Sequence, residues 1–288
     1  MPIDVKKVLA ASLEDTHGAW ADKDVILYAL GVGVGVGQAA TDPGVLQYTY
    51  ENGLKALPTF GVVPVFACLT TTLGIPGFDV NPMMILHGEQ YLEVLCDEIP
   101  TRAKVVNSAK VSGIYDKGKG ALITVDTVTK TEDGKPLFKN VFSIFARGEG
   151  GFGGESGPAP GNDTPARDPD KSIAYPTLPH QAIIYRLSGD YNPLHIDPQF
   201  AAFGGFDRPI LHGLCTFGNI GRAVIEGYCG NDPRKFRSIK VRFAAPVMPG
   251  ETIVTDMWKA SETDILCRAR VQERNVAVVT NAKVTIRA

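Results

Sequence analysis

The 288-residue sequence has few cysteines, little net charge and no long apolar run. Its five cysteines are odd in number, widely spaced and free of any Cys-x-x-Cys pair, which argues against a disulfide framework or a zinc knuckle. A net charge of −2 gives no basic field for nucleic acid, and no apolar run reaches the roughly 18 residues that a membrane span needs. Neither end shows a targeting signal, and the C-terminus is not a Ser-Lys-Leu tail. The composition predicts a soluble intracellular protein with no nucleic-acid or membrane partner.

Glycines and prolines crowd the middle of the chain, over residues 148–170. Such a density prevents regular structure and is typical of a linker. The sequence therefore predicts an N-terminal unit over 1–147, a linker over 148–170 and a C-terminal unit over 171–288.

The two halves of the chain resemble each other at three places in the same order. Residues 28–33 resemble 185–190, residues 57–60 resemble 211–214, and residues 99–105 resemble 248–254. Each match is weak alone, but the shared order predicts a duplicated unit of roughly 120–150 residues.

Both units show a succession of alternating strands. In the second unit, apolar residues recur at helical spacing over 211–225. Apolar and polar residues alternate over 236–244, 251–259, 264–274 and 277–287, and in the first unit over 105–115, 121–131 and 137–147. A helix followed by antiparallel strands, twice over, predicts an α+β fold in which the two sheets pair and cover their helices.

Asp190 and His195 lie five residues apart in a loop, 185–198, that is rich in turn-forming residues. Across a tight turn, a carboxylate and an imidazole can hold one water between them and transfer its protons. Taken alone, the loop fits a turn-capping aspartate and a structural histidine equally well. The first unit has Gly33 at the position matching Asp190 and no histidine matching His195. Because one copy does without the pair, the comparison favours a catalytic role.

Gly213 stands in the first turn of the predicted helix of the second unit. Free amides at a helix start stabilise a developing oxyanion, and glycine lets a substrate carbonyl approach closely. The alternative is that Gly213 only permits close helix packing, and the loop about twenty residues upstream favours the catalytic role. The glycine-valine run over 31–37 lacks dinucleotide-binding spacing and is predicted to form a close-packed turn and strand.

The motif Ser-Gly-Asp-x-Asn-Pro-Leu-His over 188–195, followed by 209–217, strongly resembles the hydratase 2 family. These are the (R)-specific enoyl-CoA hydratases found as domains of peroxisomal multifunctional enzymes and as MaoC-like dehydratases. The likeness covers nearly the whole chain and includes 57–61, 86–91, 150–154 and 242–244. It implies a double hot-dog fold, in which each of two duplicated units has a long helix wrapped by a curved antiparallel sheet.

The resemblance also implies a set of site residues. Four match the catalytic machinery of the family: Asp190, His195, Asn192 and Gly213. Four others match positions that contact the acyl-CoA substrate: His87, Gly88, Lys117 and Phe243. Within the second group, Lys117 would offer charge to the CoA phosphates.

The activity implied by the resemblance is reversible hydration of trans-2-enoyl-CoA to (3R)-3-hydroxyacyl-CoA in fatty-acid β-oxidation. This is a hydro-lyase reaction with no metal and no cofactor, since CoA is part of the substrate. The first unit is expected to be non-catalytic and to help bind acyl-CoA. The chain is expected to form a homodimer. Its expected location is the peroxisome in a eukaryote and the cytoplasm otherwise. Two alternatives stay open, an acyl-CoA thioesterase and a non-catalytic acyl-CoA-binding module.

Overall fold

The computed structural model describes residues 3–81 and 84–288, whose named strands form one ten-stranded antiparallel sheet. Its order is β1-β3-β4-β5-β2-β7-β10-β9-β8-β6. The first-unit strands are β1 Thr16–Trp20, β2 Ile85–Val94, β3 Ala103–Asp116, β4 Gly120–Thr131 and β5 Pro136–Arg147. The second-unit strands are β6 Lys171–Pro176, β7 Phe236–Phe243, β8 Thr252–Lys259, β9 Asp264–Val271 and β10 Val276–Ile286.

The two halves of the sheet repeat each other around the junction of β2 and β7. Each half has the same internal order, because β1, β3, β4, β5 and β2 correspond in turn to β6, β8, β9, β10 and β7. At the junction, Tyr91 of β2 pairs with Lys240 of β7. The first residues of β3 and β8, Ala103 and Thr252, are 149 positions apart, as in the sequence match. The predicted duplication and the α+β class are confirmed.

Seven α-helices accompany the sheet within the described residues. They are α1 Val5–Leu9, α2 Asp22–Gly31, α3 Pro43–Thr49, α4 Phe66–Thr71, α5 Gln181–Tyr185, α6 Pro198–Phe203 and α7 Gly213–Tyr228. Helix α7 is buried from Leu214 to Ile225 and packs on β6 to β9. A Cβ at Gly221 would lie 2.6 Å from Thr59 Cγ2, so glycine lets the helix approach the first unit closely. The long helix expected in the second unit is therefore present.

The first unit differs at the corresponding place. A 3₁₀ helix over Pro58–Val62, α4 and a 3₁₀ turn over Thr72–Gly74 replace one long helix. Pro64 interrupts the series, because proline lacks the N–H and clashes with the preceding turn. Gly61 packs its backbone so tightly that a Cβ there would lie 2.5 Å from Phe138. The central segment of the first unit is thus a string of short helical turns.

The strand predicted within 31–37 is not formed. Gly33, Gly35 and Gly37 have φ angles of 81°, 86° and 71°, so every second residue is left-handed. This conformation is incompatible with a β-strand, and the segment is a succession of turns. The predicted turn is present and the predicted strand is wrong.

The segment between Arg147 and Lys171 has no helix or strand and is anchored to both units. Asp116 accepts hydrogen bonds from the Gly151 and Gly153 amides, and these amides hold the pKa of that carboxyl below its usual value. Farther along, the Trp258 indole donates to the Arg167 carbonyl at 3.0 Å. Among residues 3–81 and 84–288, no helix combines the length and the apolar character that a bilayer crossing requires.

Candidate active site

A sharp turn places Asp190 at the edge of a cavity. Gly189 precedes it with a φ of 120°, a conformation that side-chain-bearing residues rarely adopt. The Asp190 Oδ1 atom accepts a hydrogen bond from the Asn192 amide at 3.2 Å, which fixes the half-buried carboxylate on the loop.

His195 ends a short 3₁₀ helix, Pro193–His195, whose first turn is capped by the Asn192 side chain. Its Nδ1 lies 2.8 Å from the Ile210 carbonyl oxygen. Because a carbonyl only accepts hydrogen bonds, Nδ1 carries the proton and Nε2 keeps a lone pair. Burial lowers the pKa of His195, opposed by the Asp190 carboxylate and by the bond to Ile210. The neutral ring is therefore ready to accept a proton.

His212, which sequence reasoning did not single out, joins the two loop residues. Its ring stacks on His195 with a centroid separation of 3.7 Å, and its Nε2 donates to the Asp190 carbonyl at 3.2 Å. Burial, followed by the proximity of His195, lowers the pKa of His212 to about 2. The neutral, buried ring thus holds both loop residues against the start of α7. A histidine directly before Gly213, at the start of an apolar helix, is the sequence signal that could have found it.

Gly213 is the first residue of α7, with its backbone packed against Phe243. A Cβ at this position would lie 3.1 Å from Phe243 Cε1. Within the described part of the chain, nothing accepts a hydrogen bond from the Gly213 N–H. A free amide backed by a 16-residue helix is a site for a developing negative charge.

These groups meet in a cavity of about 380 Å³ between the two units. Six of the eight predicted site residues line it: His87, Asp190, Asn192, His195, Gly213 and Phe243. One side-chain oxygen of Asp190 and one ring nitrogen of each of His195 and His212 lie within 4.8 Å of one another. The described residues form no other group of three potential metal ligands.

The wall opposite the loop comes from the junction of β2 and β7. His87 contacts Phe142 and Phe243, with ring centroids 5.5 and 5.0 Å apart. Burial lowers the pKa of His87 to about 4. Gly88 does not line the cavity; it occupies a β-bulge between His87 and Glu89, where the register with β5 shifts. The bulge turns His87 toward the cavity.

Lys117 does not line the cavity either, and Arg147 takes the place expected for it. Lys117 lies in the turn between β3 and β4, and its amide donates to the Gly120 carbonyl. Arg147, the last residue of β5, pairs with Gly120 and lines the cavity with an exposed side chain. The two cations share one end of the sheet, with Arg147 nearer the reacting groups.

Comparison with known families and proteins identifies the family of the chain. Residues 19–148 match the MFE-2 hydratase 2 N-terminal domain, and residues 161–282 match the MaoC like domain. A probable enoyl-CoA hydratase 2 of Dictyostelium discoideum is 45% identical over 281 residues, which cover 94% of this chain and 92% of that one. A peroxisomal enoyl-CoA hydratase 2 of Arabidopsis thaliana is 40% identical over 287 residues, with 94% and 92% covered.

Solved structures support the same fold. The MaoC-like dehydratase of Phytophthora capsici has a TM-score of 0.86 and 37% identity, covering 99% of each chain. A Mycobacterium tuberculosis protein described as a double hotdog fold has a TM-score of 0.59 at 12% identity, which bears on the fold alone. The predicted double hot-dog fold is confirmed, as is the prediction of a hydro-lyase related to the hydratase domain of peroxisomal multifunctional enzymes. The chain belongs to the enoyl-CoA hydratase 2 family.

Proposed function

We propose that the chain catalyses reversible hydration of trans-2-enoyl-CoA to (3R)-3-hydroxyacyl-CoA, with Asp190 and His195 acting together on one water. One observation carries the proposal. A carboxylate, an imidazole lone pair and a free helix-start amide meet in a single cavity between the two units. Addition of water to an unsaturated thioester needs these three groups, because it moves protons and places negative charge on the thioester oxygen.

In the proposed mechanism, the thioester oxygen lies near the Gly213 amide, which makes C3 of the enoyl group electrophilic. Asp190 and the Nε2 atom of His195 hold the water and take up its proton as the oxygen bonds to C3. The electron pair of the double bond moves through C2 to the thioester oxygen, where the amide and the dipole of α7 stabilise the charge. The pair then delivers the proton taken from the water to C2, which restores the carbonyl, so the hydroxyl on C3 and the hydrogen on C2 together account for the one water added. The reaction consumes one water and needs no oxidant or reductant, and we propose that it uses no cofactor.

The first unit is proposed to be non-catalytic, so that each chain has one active site. A small cavity at the junction of the two units uses the matching positions, since Val94 and Phe236 lie 149 residues from Phe243 and His87. Its volume is about 20 Å³, too small for an acyl chain. Gly33 and Thr59 stand where the second unit has Asp190 and Gly213.

Titration with a non-hydrolysable acyl-CoA analogue in a calorimeter is expected to give one site per chain, because the cavity at the matching positions Val94 and Phe236 is too small for an acyl chain. The same titration of His195→Gln should keep this stoichiometry, since the exchange alters proton transfer and not the cavity. Two equivalent sites per chain would contradict a silent first unit.

A single assay tests the proposed reaction. The absorbance of crotonyl-CoA at the enoyl band is followed while free thiol is measured in the same sample. Hydration predicts loss of absorbance without thiol. Release of thiol would instead indicate a thioesterase, and no change in either signal would indicate a module that only binds acyl-CoA.

The pH dependence of the reaction should follow His195. Its folded pKa is lowered from 6.5, and the neutral ring is the form that accepts a proton. Activity is therefore retained as the pH is lowered from neutral, and it is lost only when the pH falls below this lowered pKa. We expect kcat/KM to show an acid limb centred below pH 6.5. An acid limb centred above 6.5 would contradict the assignment of His195 as a base.

Arg147 is expected to bind the CoA phosphates more strongly than Lys117. Replacing Arg147 by alanine removes a charge-assisted hydrogen bond at the cavity edge and should raise KM about tenfold with kcat nearly unchanged. Lys117→Ala should have a smaller effect on KM, and Lys104→Ala, at the opposite end of β3, should have none. Steady-state kinetics at low and high salt test this. A larger KM effect at Lys117 than at Arg147 would reverse the assignment.

We further propose a peroxisomal location in a eukaryotic cell and a homodimeric assembly. The Arabidopsis relative named as peroxisomal supports the first. Imaging of the tagged protein and sedimentation equilibrium test the two proposals. Cytosolic fluorescence in a eukaryotic host would contradict the location, and a monomer at micromolar concentration would contradict the dimer.

A further inference from the structure

A second cavity, of about 250 Å³, lies between the first unit and the C-terminal half of α7. Its lining includes Arg222, Tyr48 and Tyr175, which are buried, and Gln38 and Asn231, which are exposed. We call it the Arg222 cavity. It shares no lining residue with the cavity that holds Asp190 and His195.

Arg222 brings a poorly compensated charge into this cavity. Arg222 is 7% exposed, and its Nη1 atom donates to the Val32 carbonyl at 2.8 Å. The guanidinium also stacks over the Tyr175 ring at 4.1 Å. Among the described residues, no carboxylate forms an ion pair with it. Glu226, on the same lining, attracts the guanidinium but forms no ion pair with it, so the N–H groups that face the cavity can still bind an anion.

A second donor lies on the same lining. Tyr48 is 6% exposed, and its buried hydroxyl has no hydrogen-bond partner within the described structure. The Tyr175 hydroxyl, in contrast, donates to Glu226 at 2.6 Å. An unpaired buried hydroxyl costs free energy that a ligand oxygen would recover. The guanidinium and the Tyr48 hydroxyl are together suited to the two oxygens of a carboxylate.

The remaining lining residues restrict the class of anion. Val34, Leu57 and Ile225 provide apolar surface, while Asp42 and Glu226 add two acidic groups. Two acids beside one arginine disfavour a doubly charged phosphate, whereas a single negative charge on a short apolar chain satisfies both surfaces.

The Arg222 cavity lies beside the first-unit loop that matches the catalytic loop of the second unit. Residues 33–38 of the first unit match the catalytic loop 190–195 of the second, and Gln38 stands where His195 does. Val34 and Gln38 line the Arg222 cavity, just as the loop of the second unit lines the catalytic one. The first copy thus lacks the reacting pair and has a polar cavity beside the same loop.

We propose that the Arg222 cavity is a binding site for a small monocarboxylate, held by Arg222 and Tyr48 with its alkyl end against the apolar wall. This inference is independent of the proposed hydration, because it concerns a different cavity and different residues.

Titration with propionate, followed by saturation-transfer NMR at constant ionic strength, tests the proposal on the full chain. Wild type should show one saturable site. Arg222→Met should weaken binding at least about tenfold, the scale of one lost charge-assisted hydrogen bond. Tyr48→Phe removes only the hydroxyl and should weaken binding about threefold to tenfold, which keeps the test usable if Arg222→Met does not fold. Arg167→Met, the loss of an exposed arginine outside the cavity, should leave binding unchanged.

Two further arms separate the alternatives. His195→Gln should bind propionate as wild type does; if it loses binding while the Tyr48 and Arg222 variants keep it, propionate occupies the catalytic cavity and the proposal fails. Inorganic phosphate at the same ionic strength should bind more weakly than propionate. Tighter binding of phosphate would overturn the carboxylate class, and no saturable binding of propionate would overturn the site.

Discussion

Replacing Asp190 by asparagine or His195 by glutamine is expected to lower the turnover number for crotonyl-CoA hydration at least about a hundredfold, the scale of losing a general acid or base. Both exchanges preserve local hydrogen bonds. An asparagine oxygen can still accept from the Asn192 amide, and a glutamine side chain can still donate toward the Ile210 carbonyl. The loss should therefore fall on kcat while the melting temperature stays near that of wild type.

Asp197→Asn is the matched control for the aspartate. Asp197 lies on the same loop and caps α6 through the Gln199 and Phe200 amides, but it does not line the cavity. Asparagine caps a helix as well as aspartate does, so this variant should keep nearly normal turnover. His180→Gln, at an exposed histidine, is the control for His195. Near-normal hydration in either the Asp190 or the His195 variant would contradict the catalytic pair.

The second large effect is expected from removing the Gly213 N–H with proline. Proline is favoured at the first residue of a helix, and His212 has φ −57° and ψ 132°, a conformation compatible with a following proline. The exchange should therefore delete one donor with little change in the helix. Loss of an oxyanion donor lowers kcat about 10²- to 10³-fold.

Gly213→Ala separates the missing donor from the added bulk. Alanine keeps the N–H and places a Cβ about 3.1 Å from Phe243, as proline also does. The alanine variant measures the effect of the added Cβ, and any further loss of kcat in the proline variant reports the missing N–H together with the ring Cδ that replaces its hydrogen. Equal activity in the two variants would show that Gly213 serves packing, which was the competing interpretation of this glycine.

The regular parts of the fold could be predicted because their signals are local. The alternation over 121–131 and 264–274 corresponds to β4 and to β9 with the turn after it. The helical period over 211–225 corresponds to α7. Strands β1, β2 and β6 were not predicted. β1 and β6 are short and lie at the edges of the sheet, where burial imposes little pattern. The first five residues of the central strand β2 are all half-buried, so no alternation marks its start. The first-unit helix was overestimated because an apolar run does not reveal how far prolines will divide it.

The site was predictable only in part, because half of it depends on contacts between the units. Asp190, His195 and Gly213 are close in sequence, and their residue types already indicate chemistry. His87 and Phe243 meet only because β2 pairs with β7, a register that no spacing specifies, and their positions came from the family resemblance. The resemblance also suggested Lys117, which lies in the turn between β3 and β4 and does not line the cavity, whereas Arg147 at the end of β5 does. Both cations lie at the same end of the sheet, and sequence pattern does not show which of them reaches the cavity.

Hydration in water enriched in heavy oxygen tests the central claim most directly. Wild type is incubated with crotonyl-CoA in this water, and the product is analysed by mass spectrometry and by chiral chromatography. The account predicts one heavy oxygen in the C3 hydroxyl of (3R)-3-hydroxybutyryl-CoA, with the thioester intact and no label in Asp190→Asn samples above background. Label in a free carboxylate, or a (3S) product, would contradict it.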